Sequence, residues 1–269
     1  MPEQHTPTID ELPLVTCIVP NYNYSQWIEE CIDSLANQDY PNKQIIVVDD
    51  CSTDKSIEKI LAIIKEPKQS WVEFPDQSWK GNVIYGKYKN VTLGLAQTEV
   101  NSGPSKCRNI GIRLAGNSVF YYFLDSDDTV ALNKLSKCVA KMLEYPGEIG
   151  LIYTDNYNYN VETKTTTREY REPFDFQRLH THNMVRSDFF LANIALQKMG
   201  LYFEGLRLGE DLDLSLRLGE TNFMIYHIPE CLMTAKVHPQ NTTTSQQQEK
   251  WQQAWYIIGE RLKHRRNPG

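Results

Sequence analysis

Asp125-Ser126-Asp127-Asp128 sets three carboxylates within four residues, directly after the apolar run Val119-Phe120-Tyr121-Tyr122-Phe123-Leu124. Such a succession of β-favouring residues reads as a strand buried on both faces, as in a parallel sheet. Carboxylates crowded at its end raise one another's pKa and oppose folding unless a cation or an array of donors neutralises them. A hard divalent ion suits the place, because Mg²⁺ takes one or two carboxylates and completes its shell with phosphate oxygens. The carboxyl ends of strands are also where open α/β sheets bind ligands. An acidic turn that caps the following helix would use the same residues, and the tetrapeptide alone does not separate the two.

The elements around it alternate. Residues 14–19 form a buried strand stopped by Pro20, and Ser25 can cap a helix carrying Ile28, Cys31, Ile32 and Leu35 on one face. A second strand, 44–48, runs into Asp49-Asp50, and Ser52-Thr53-Asp54 opens a second helix with Ile57, Ile60, Leu61 and Ile64. Two strand–helix units in succession predict a parallel, right-handed βαβ start. Residues 71–88 suggest a hairpin-like excursion before a strand near Val91, and a helix from Ser105 to Leu114 leads to the acidic strand. Beyond it we expect a helix through Leu135, Val139 and Met142, a strand at 149–153, and polar, aromatic loops over 154–182. Ser187 is placed to cap a helix ending near Gly200, Asp211 to Leu218 to form a short helix closed by Gly219, and 223–228 and 231–237 to form two strands. The fold class expected is α/β, one compact unit: a polar tail (1–13), a nucleotide-binding half (14–130), an acceptor-binding half (131–245) and a C-terminal amphipathic helix (246–269).

Composition excludes several classes. A net charge of −6, from 28 Lys+Arg against 34 Asp+Glu, argues against nucleic acid as a partner. The 6 cysteines are scattered without CxxC or CxxH spacing, so neither a zinc site nor a disulfide framework is indicated. There is no run of about 18 apolar residues and no charged-then-apolar start, so neither a membrane span nor a signal peptide is expected, and a reducing cytoplasm is the expected compartment.

Five segments in order carry a family resemblance: Val19-Pro20-Asn21-Tyr22-Asn23; Val47-Val48-Asp49-Asp50-Cys51-Ser52-Thr53-Asp54; Gly103-Pro104-Ser105-Lys106-Cys107-Arg108-Asn109-Ile110-Gly111; Leu124-Asp125-Ser126-Asp127-Asp128; and Gly209-Glu210-Asp211-Leu212-Asp213-Leu214. Together they resemble family 2 glycosyltransferases, inverting enzymes of the GT-A fold. Cys51 departs from the family's usual Gly, and Lys106-Cys107 from two small residues. The resemblance implies a nucleotide-sugar donor, a divalent metal (Mn²⁺ or Mg²⁺), Asp125 at the ribose or metal-bound water and Asp127 as metal ligand. It also brings His238, in Lys236-Val237-His238-Pro239, over the diphosphate as a further metal ligand or phosphate donor.

The residues themselves suggest the remaining roles. Asp50 can accept the N3–H of a uracil and Tyr22 can offer its ring to the base, with Pro20, Asn23 and Ser126 beside them; Tyr22 would equally serve as an ordinary loop tyrosine. Lys106 and Arg108 either add charge near the nucleotide or are solvated helix residues. Inversion needs a base opposite the leaving diphosphate, and Asp211, opening a short helix, is the candidate; Asp213 shares its helix-start chemistry. Glu210 would orient the acceptor or the helix, and His180 and His182 lie in a polar loop where they could touch the acceptor. That acceptor would be a glycan, a lipid-linked sugar or a protein. Trp251, Trp255, Ile258 and Leu262 form one helical stripe ending among Arg261, Lys263, His264, Arg265 and Arg266. It would dock on its own domain or lie at the inner face of a membrane. A nucleotidyltransferase is disfavoured, since no Gly-rich loop follows the first strand, and a non-catalytic sugar-nucleotide-binding module is disfavoured by the presence of both acidic motifs.

Overall fold

The computed structural model describes residues 9–241 and 248–266. Most of the predicted polar tail (1–8), the end of the His238 segment (242–247) and the last three residues (267–269) lie outside the described residues.

The chain opens as β1 (Val15–Asn21), α1 (Ile28–Ala36), β2 (Lys43–Asp49) and α2 (Ser56–Ile63). A hairpin of β3 (Lys65–Glu73) and β4 (Lys80–Tyr88) returns as β5 (Val91–Gln97). Helix α3 (Pro104–Leu114) then leads into β6 (Phe120–Phe123), which ends one residue before the acidic motif. β7 (Thr129–Val130), α4 (Lys134–Glu144), β8 (Ile149–Asn160), β9 (Thr165–Glu169) and α5 (Phe176–Leu179) follow. The chain closes with β10 (Phe190–Ala192), α6 (Asn193–Met199), α7 (Glu210–Gly219), β11 (Met224–Val237) and α8 (Gln248–Arg266).

All the strands join one sheet in the order β3-β4-β5-β2-β1-β6-β10-β8-β11-β7, with β9 paired to β8. β1 runs parallel to β2 and β6, and β2 parallel to β5. β10 is antiparallel to both β6 and β8, so β8 points the same way as β6; β11 is parallel to β8. The carboxyl ends of β1, β2, β5, β6, β8 and β11 therefore share one edge, the edge where such sheets bind ligands. Val15, Cys17, Ile18 and Val19 of β1 are fully buried, as the unbroken apolar run predicts. α3 packs on β1 and β2, and Gly111 makes that approach possible: a Cβ there would lie 2.5 Å from Ile18 Cγ2.

Several expectations are corrected. Residues 154–182 are not mainly loop: β8 continues to Asn160 and pairs antiparallel with β9. Their polar alternation hides a strand that projects past the apolar core. Ser187 caps no helix; a short, fully buried strand, β10, intervenes before α6. The two predicted C-terminal strands are one, β11, with register shifts between Ile228 and Cys231 where Pro229 interrupts the ladder. Gly219 is the last residue of α7, as expected, and Glu220 is the residue that caps it. Ser25 also does not cap α1: the N-cap position falls on Trp27 and no side chain bonds the helix start, while the Ser25 N–H donates to Asp54 Oδ2 at 2.8 Å.

The C-terminal helix docks. Ala254 and Ile258 of α8 are buried, and Arg261 Nε donates to Asp213 Oδ1 of α7 at 3.0 Å. Arg265 Nε donates to Glu220 at 2.9 Å. Of the stripe, Ile258 is buried and Trp251, Trp255 and Leu262 are half-buried, as the docking alternative expects. Among the described residues no helix is long and apolar enough to cross a membrane.

Candidate active site

The acidic motif turns as soon as β6 ends, with Asp128 N–H donating to the Asp125 carbonyl at 3.0 Å. Its carboxylates diverge. Asp125 Oδ1 accepts from Arg108 Nη2 at 2.7 Å and Oδ2 from Ser187 Oγ at 2.9 Å. Asp127 Oδ2 lies 3.0 Å from His238 Nε2 and accepts from Asn241 Nδ2 at 3.1 Å. Asp128 Oδ1 accepts from Lys236 N at 2.9 Å. Burial pushes the Asp128 carboxyl well above its ordinary value, and the charges of Asp127 and Asp125 push it further. The Lys236 N–H opposes this only in part, and the Lys236 ammonium donates to the Asp127 carbonyl at 3.0 Å while pairing with Glu30 at 3.1 Å.

This surplus of negative charge is what a divalent cation relieves. Asp127 and His238 offer a carboxylate and an imidazole within contact of each other, a donor set that fits Mn²⁺ or Mg²⁺ with positions left for phosphate oxygens. Among the described residues no group of three His, Cys, Asp or Glu gathers as a metal cage. Asp125, expected to share the metal, instead engages Arg108 and Ser187. His238 is held from behind, its ring 4.1 Å from that of Trp27 and edge-on to Tyr24 at 5.6 Å. Burial raises the Tyr24 hydroxyl pKa, and the Asp127, Asp125 and Asp128 charges add to it.

On the nucleotide side the partners differ from those read in the sequence. Tyr22 is 44% exposed, free to offer a ring face, and Pro20 lies just before it in β1. Asn23 Oδ1 accepts from Thr53 N at 2.7 Å, so its side chain shapes the loop. Asp50 is buried and already accepts three donors: Thr98 Oγ1 at 2.8 Å, Ser102 N at 2.8 Å and Gly103 N at 2.7 Å. It ties β2 to the loop entering α3, and three of the roughly four acceptor sites of its carboxylate are taken. Lys106 Nζ donates to the Ser78 carbonyl at 2.6 Å and pairs with Glu204 at 3.1 Å, away from the nucleotide role. Arg108 is buried beneath the site, its guanidinium bridging Asp125 and Glu210. Ser126 is also buried, and its Oγ has no hydrogen-bond partner among the described residues.

The α7 helix begins at Gly209, whose φ of 76° places it in the left-handed region. Asp211 Oδ1 accepts from Leu212 N at 2.9 Å and Oδ2 from Asn183 Nδ2 at 2.8 Å. Asp213 is fully buried and bound to arginines, with Arg217 Nε at 2.9 Å and Arg261 Nε at 3.0 Å. Of the two aspartates, only Asp211 is held by neutral donors. Exposed His182 precedes Asn183 but has no side-chain bond to Asp211 among the described contacts; the imidazole Nδ1 of His180 lies 2.8 Å from the Phe176 carbonyl.

Residues 16–203 match the profile of Glycosyl transferase family 2, more than half of the chain. The chain belongs to that family. An uncharacterized glycosyltransferase of Haemophilus influenzae is 36% identical over 133 residues, 49% of this chain and 44% of the relative. The Staphylococcus aureus poly(ribitol-phosphate) beta-N-acetylglucosaminyltransferase TarS is 33% identical over 145 residues, 52% of this chain and 21% of TarS. The chain thus spans less than half the length of these relatives. Among solved structures, S. aureus TarS 1-349 in complex with UDP-GlcNAc superposes with a TM-score of 0.63 at 21% identity, covering 86% of this chain and 61% of TarS 1-349. The mannosyltransferase PcManGT from Pyrobaculum calidifontis, in complex with GDP-Man and Mn2+, gives a TM-score of 0.61 at 17% identity over 90% of this chain and 62% of its own. The fold is that of the GT-A glycosyltransferases.

Within this family 2 frame, the departure at Cys51 has a backbone cost. Its φ is 63°, a conformation that Gly adopts without steric cost and Cys does not. The sequence does not mark Asn183, Ser187, Asn241, Trp27 or Tyr24 as site residues. Asn241 was within reach, three residues after His238, but Asn183 and Ser187 sit in a loop that carries no motif.

Proposed function

We propose that the chain is an inverting, metal-assisted glycosyltransferase that moves a sugar from a nucleotide diphosphate, with uridine as its base, to an acceptor hydroxyl in the building of a glycan. The observation that carries this reading is the pairing at one sheet edge of Asp127 and His238 with a carboxylate, Asp211, held by neutral N–H donors. Asp211 takes the acceptor proton as its oxygen attacks the anomeric carbon. The Leu212 and Asn183 donors fix both oxygens, so the carboxylate meets the hydroxyl in one orientation. Arg108 holds Asp125 for the ribose side and Glu210 beneath the base, keeping donor and acceptor machinery in one frame. Asp127 and His238 would hold Mn²⁺ or Mg²⁺, which supplies charge neutralisation to the departing diphosphate. TarS is in complex with UDP-GlcNAc and PcManGT with GDP-Man, and TarS is a poly(ribitol-phosphate) beta-N-acetylglucosaminyltransferase, which supports a sugar nucleotide as donor and a surface polymer as acceptor.

The test is turnover of a panel of sugar nucleotides with Mn²⁺, comparing the natural protein with Asp211→Asn. The variant keeps shape and hydrogen bonding but cannot take a proton. We expect kcat to fall on the order of 10²–10⁴-fold with UDP affinity nearly unchanged. A β-linked product from an α-linked donor is expected by NMR. Retained anomeric configuration, or a variant within a few-fold of the natural protein, sinks the mechanism.

A further inference from the structure

The inner face of β8 and β9 carries a polar array that neither the donor side nor the base accounts for. Asn156 and Asn158 sit on the same face of β8, and Glu169 pairs opposite Asn156. The Glu169 carboxylate accepts from Asn158 Nδ2 at 2.9 Å and from Asn156 Nδ2 at 3.4 Å. Arg186 Nη1 reaches both of its oxygens, at 3.1 and 2.9 Å. The Arg186 backbone is itself constrained: its φ is 57°, and its N–H donates to Asn183 Oδ1 at 3.3 Å. The same Asn183 holds Asp211 through Nδ2 at 2.8 Å, so one amide joins the array to the base. The next residue, Ser187, donates to Asp125. The pair nevertheless stays open, with the Glu169 and Arg186 side chains 35% and 39% exposed.

Stability does not call for this arrangement. A half-exposed ion pair contributes little, and a non-glycine residue at positive φ costs some of what is gained. Strain of that kind, beside a base and held by Glu169 and Asn183, suits a binding site. Resting on Asp211 as the base, we propose that Glu169 and Arg186 form the acceptor subsite, and that its ligand is a neutral sugar ring presenting two adjacent hydroxyls. The carboxylate only accepts and the guanidinium only donates, so side by side they complement two hydroxyls that donate to the first and accept from the second. Burial alone would raise the Glu169 carboxyl, but Arg186 and the Asn158 amide hold it below its ordinary value, so it is anionic in the neutral range. A uronate or phosphate terminus would meet that charge, while Arg186 is paired with Glu169 and the buried Arg171 is held by Asn156 and faces Asp188 at 4.0 Å.

Steady-state kinetics of the full chain with a UDP-sugar and Mn²⁺ test this, using three acceptor classes: a panel of neutral disaccharides, a glucuronate-terminated disaccharide and ribitol phosphate. The neutral acceptors should have the highest kcat/KM. Glu169→Gln and Arg186→Lys should each raise the KM for them on the order of ten- to a hundredfold, as expected for losing charge-assisted hydrogen bonds, while kcat at saturating acceptor and the calorimetric UDP affinity change by no more than a few-fold. Glu169→Gln should also narrow the preference against the anionic acceptors. Unchanged acceptor KM in both variants, a natural preference for an anionic acceptor, or a fall in UDP affinity matching the rise in KM each overturns the subsite. If the natural protein turns over no donor, the proposed reaction fails instead. Saturation-transfer NMR then decides the subsite alone: neutral disaccharide binding that Glu169→Gln abolishes supports it, and no binding overturns it.

Discussion

Arg108 shows how a residue's surroundings decide its part. From sequence it is a cation near a nucleotide or a solvated helix residue; in the fold it lies buried between Asp125 and Glu210. Burial alone would lower its pKa, yet the two carboxylates hold it above its ordinary value. Glu210 is the reverse case: burial raises its carboxyl, and Arg108 opposes the rise. Replacing Arg108 by Met leaves a buried carboxylate uncompensated, a change that costs about 3–5 kcal/mol. A carboxyl whose folded pKa lies above its unfolded value favours folding only when protonated, so its cost grows as pH rises through that interval. Urea denaturation of Arg108→Met should therefore show a larger loss at pH 8 than at pH 5, and adding Glu210→Gln should recover part of it. A loss under about 1 kcal/mol at pH 8 would mean that the bridge is not structural. The motifs made Arg108, Asp125 and Glu210 visible. Their mutual contact was not, because it joins positions 102 residues apart in the case of Arg108 and Glu210. Asp50 went the same way: its type and strand-end position were legible, but the three donors that occupy it come from the 98–103 loop.

At the scale of elements, apolar periodicity gave α1, α4 and the central strands β1, β2 and β6, because burial on a sheet writes itself into residue type. It failed where strands leave the core. β8 past Thr154 alternates Asn with Tyr and has the polar, aromatic composition of a loop, although alternation with period two is itself a strand signal. β10 is three buried residues in the middle of the sheet, too short for any period to show. The α8 stripe was legible as a stripe, but its destination was not, since docking and membrane binding use the same pattern. Its contacts with α7 now make a test. Ile258 is 1% exposed and Tyr256 71% exposed on the same helix. Ile258→Ala should destabilise the protein by about 2–4 kcal/mol in denaturant melts, whereas Tyr256→Ala stays within about 0.5 kcal/mol. Equal, small effects together with vesicle binding that Ile258→Ala weakens would return α8 to the membrane.

For the whole molecule, the sheet directs its carboxyl ends and the start of α7 toward one edge, and negative charge accumulates there. Asp128 carries the sign of it, its carboxyl raised by burial and by Asp127 and Asp125. Because that folded pKa is raised, the group favours the folded state at low pH and opposes it as pH climbs above the ordinary carboxylate value. A cation bound with a nucleoside diphosphate should remove this opposition, so the protein without ligand has most to gain at high pH. At a UDP concentration of about 100 Kd, in excess Mn²⁺, linkage gives about 2.7 kcal/mol of added stability. For a chain of this size that corresponds to a rise in Tm of roughly 5–10 °C. We expect the rise to be larger at pH 8 than at pH 5, to vanish in EDTA, and to be lost in Asp127→Asn, which keeps the shape of the side chain but not its charge. An equal rise in EDTA, or one retained by Asp127→Asn, would show that UDP binds this edge without a metal and that the acidic motif serves only to turn the chain.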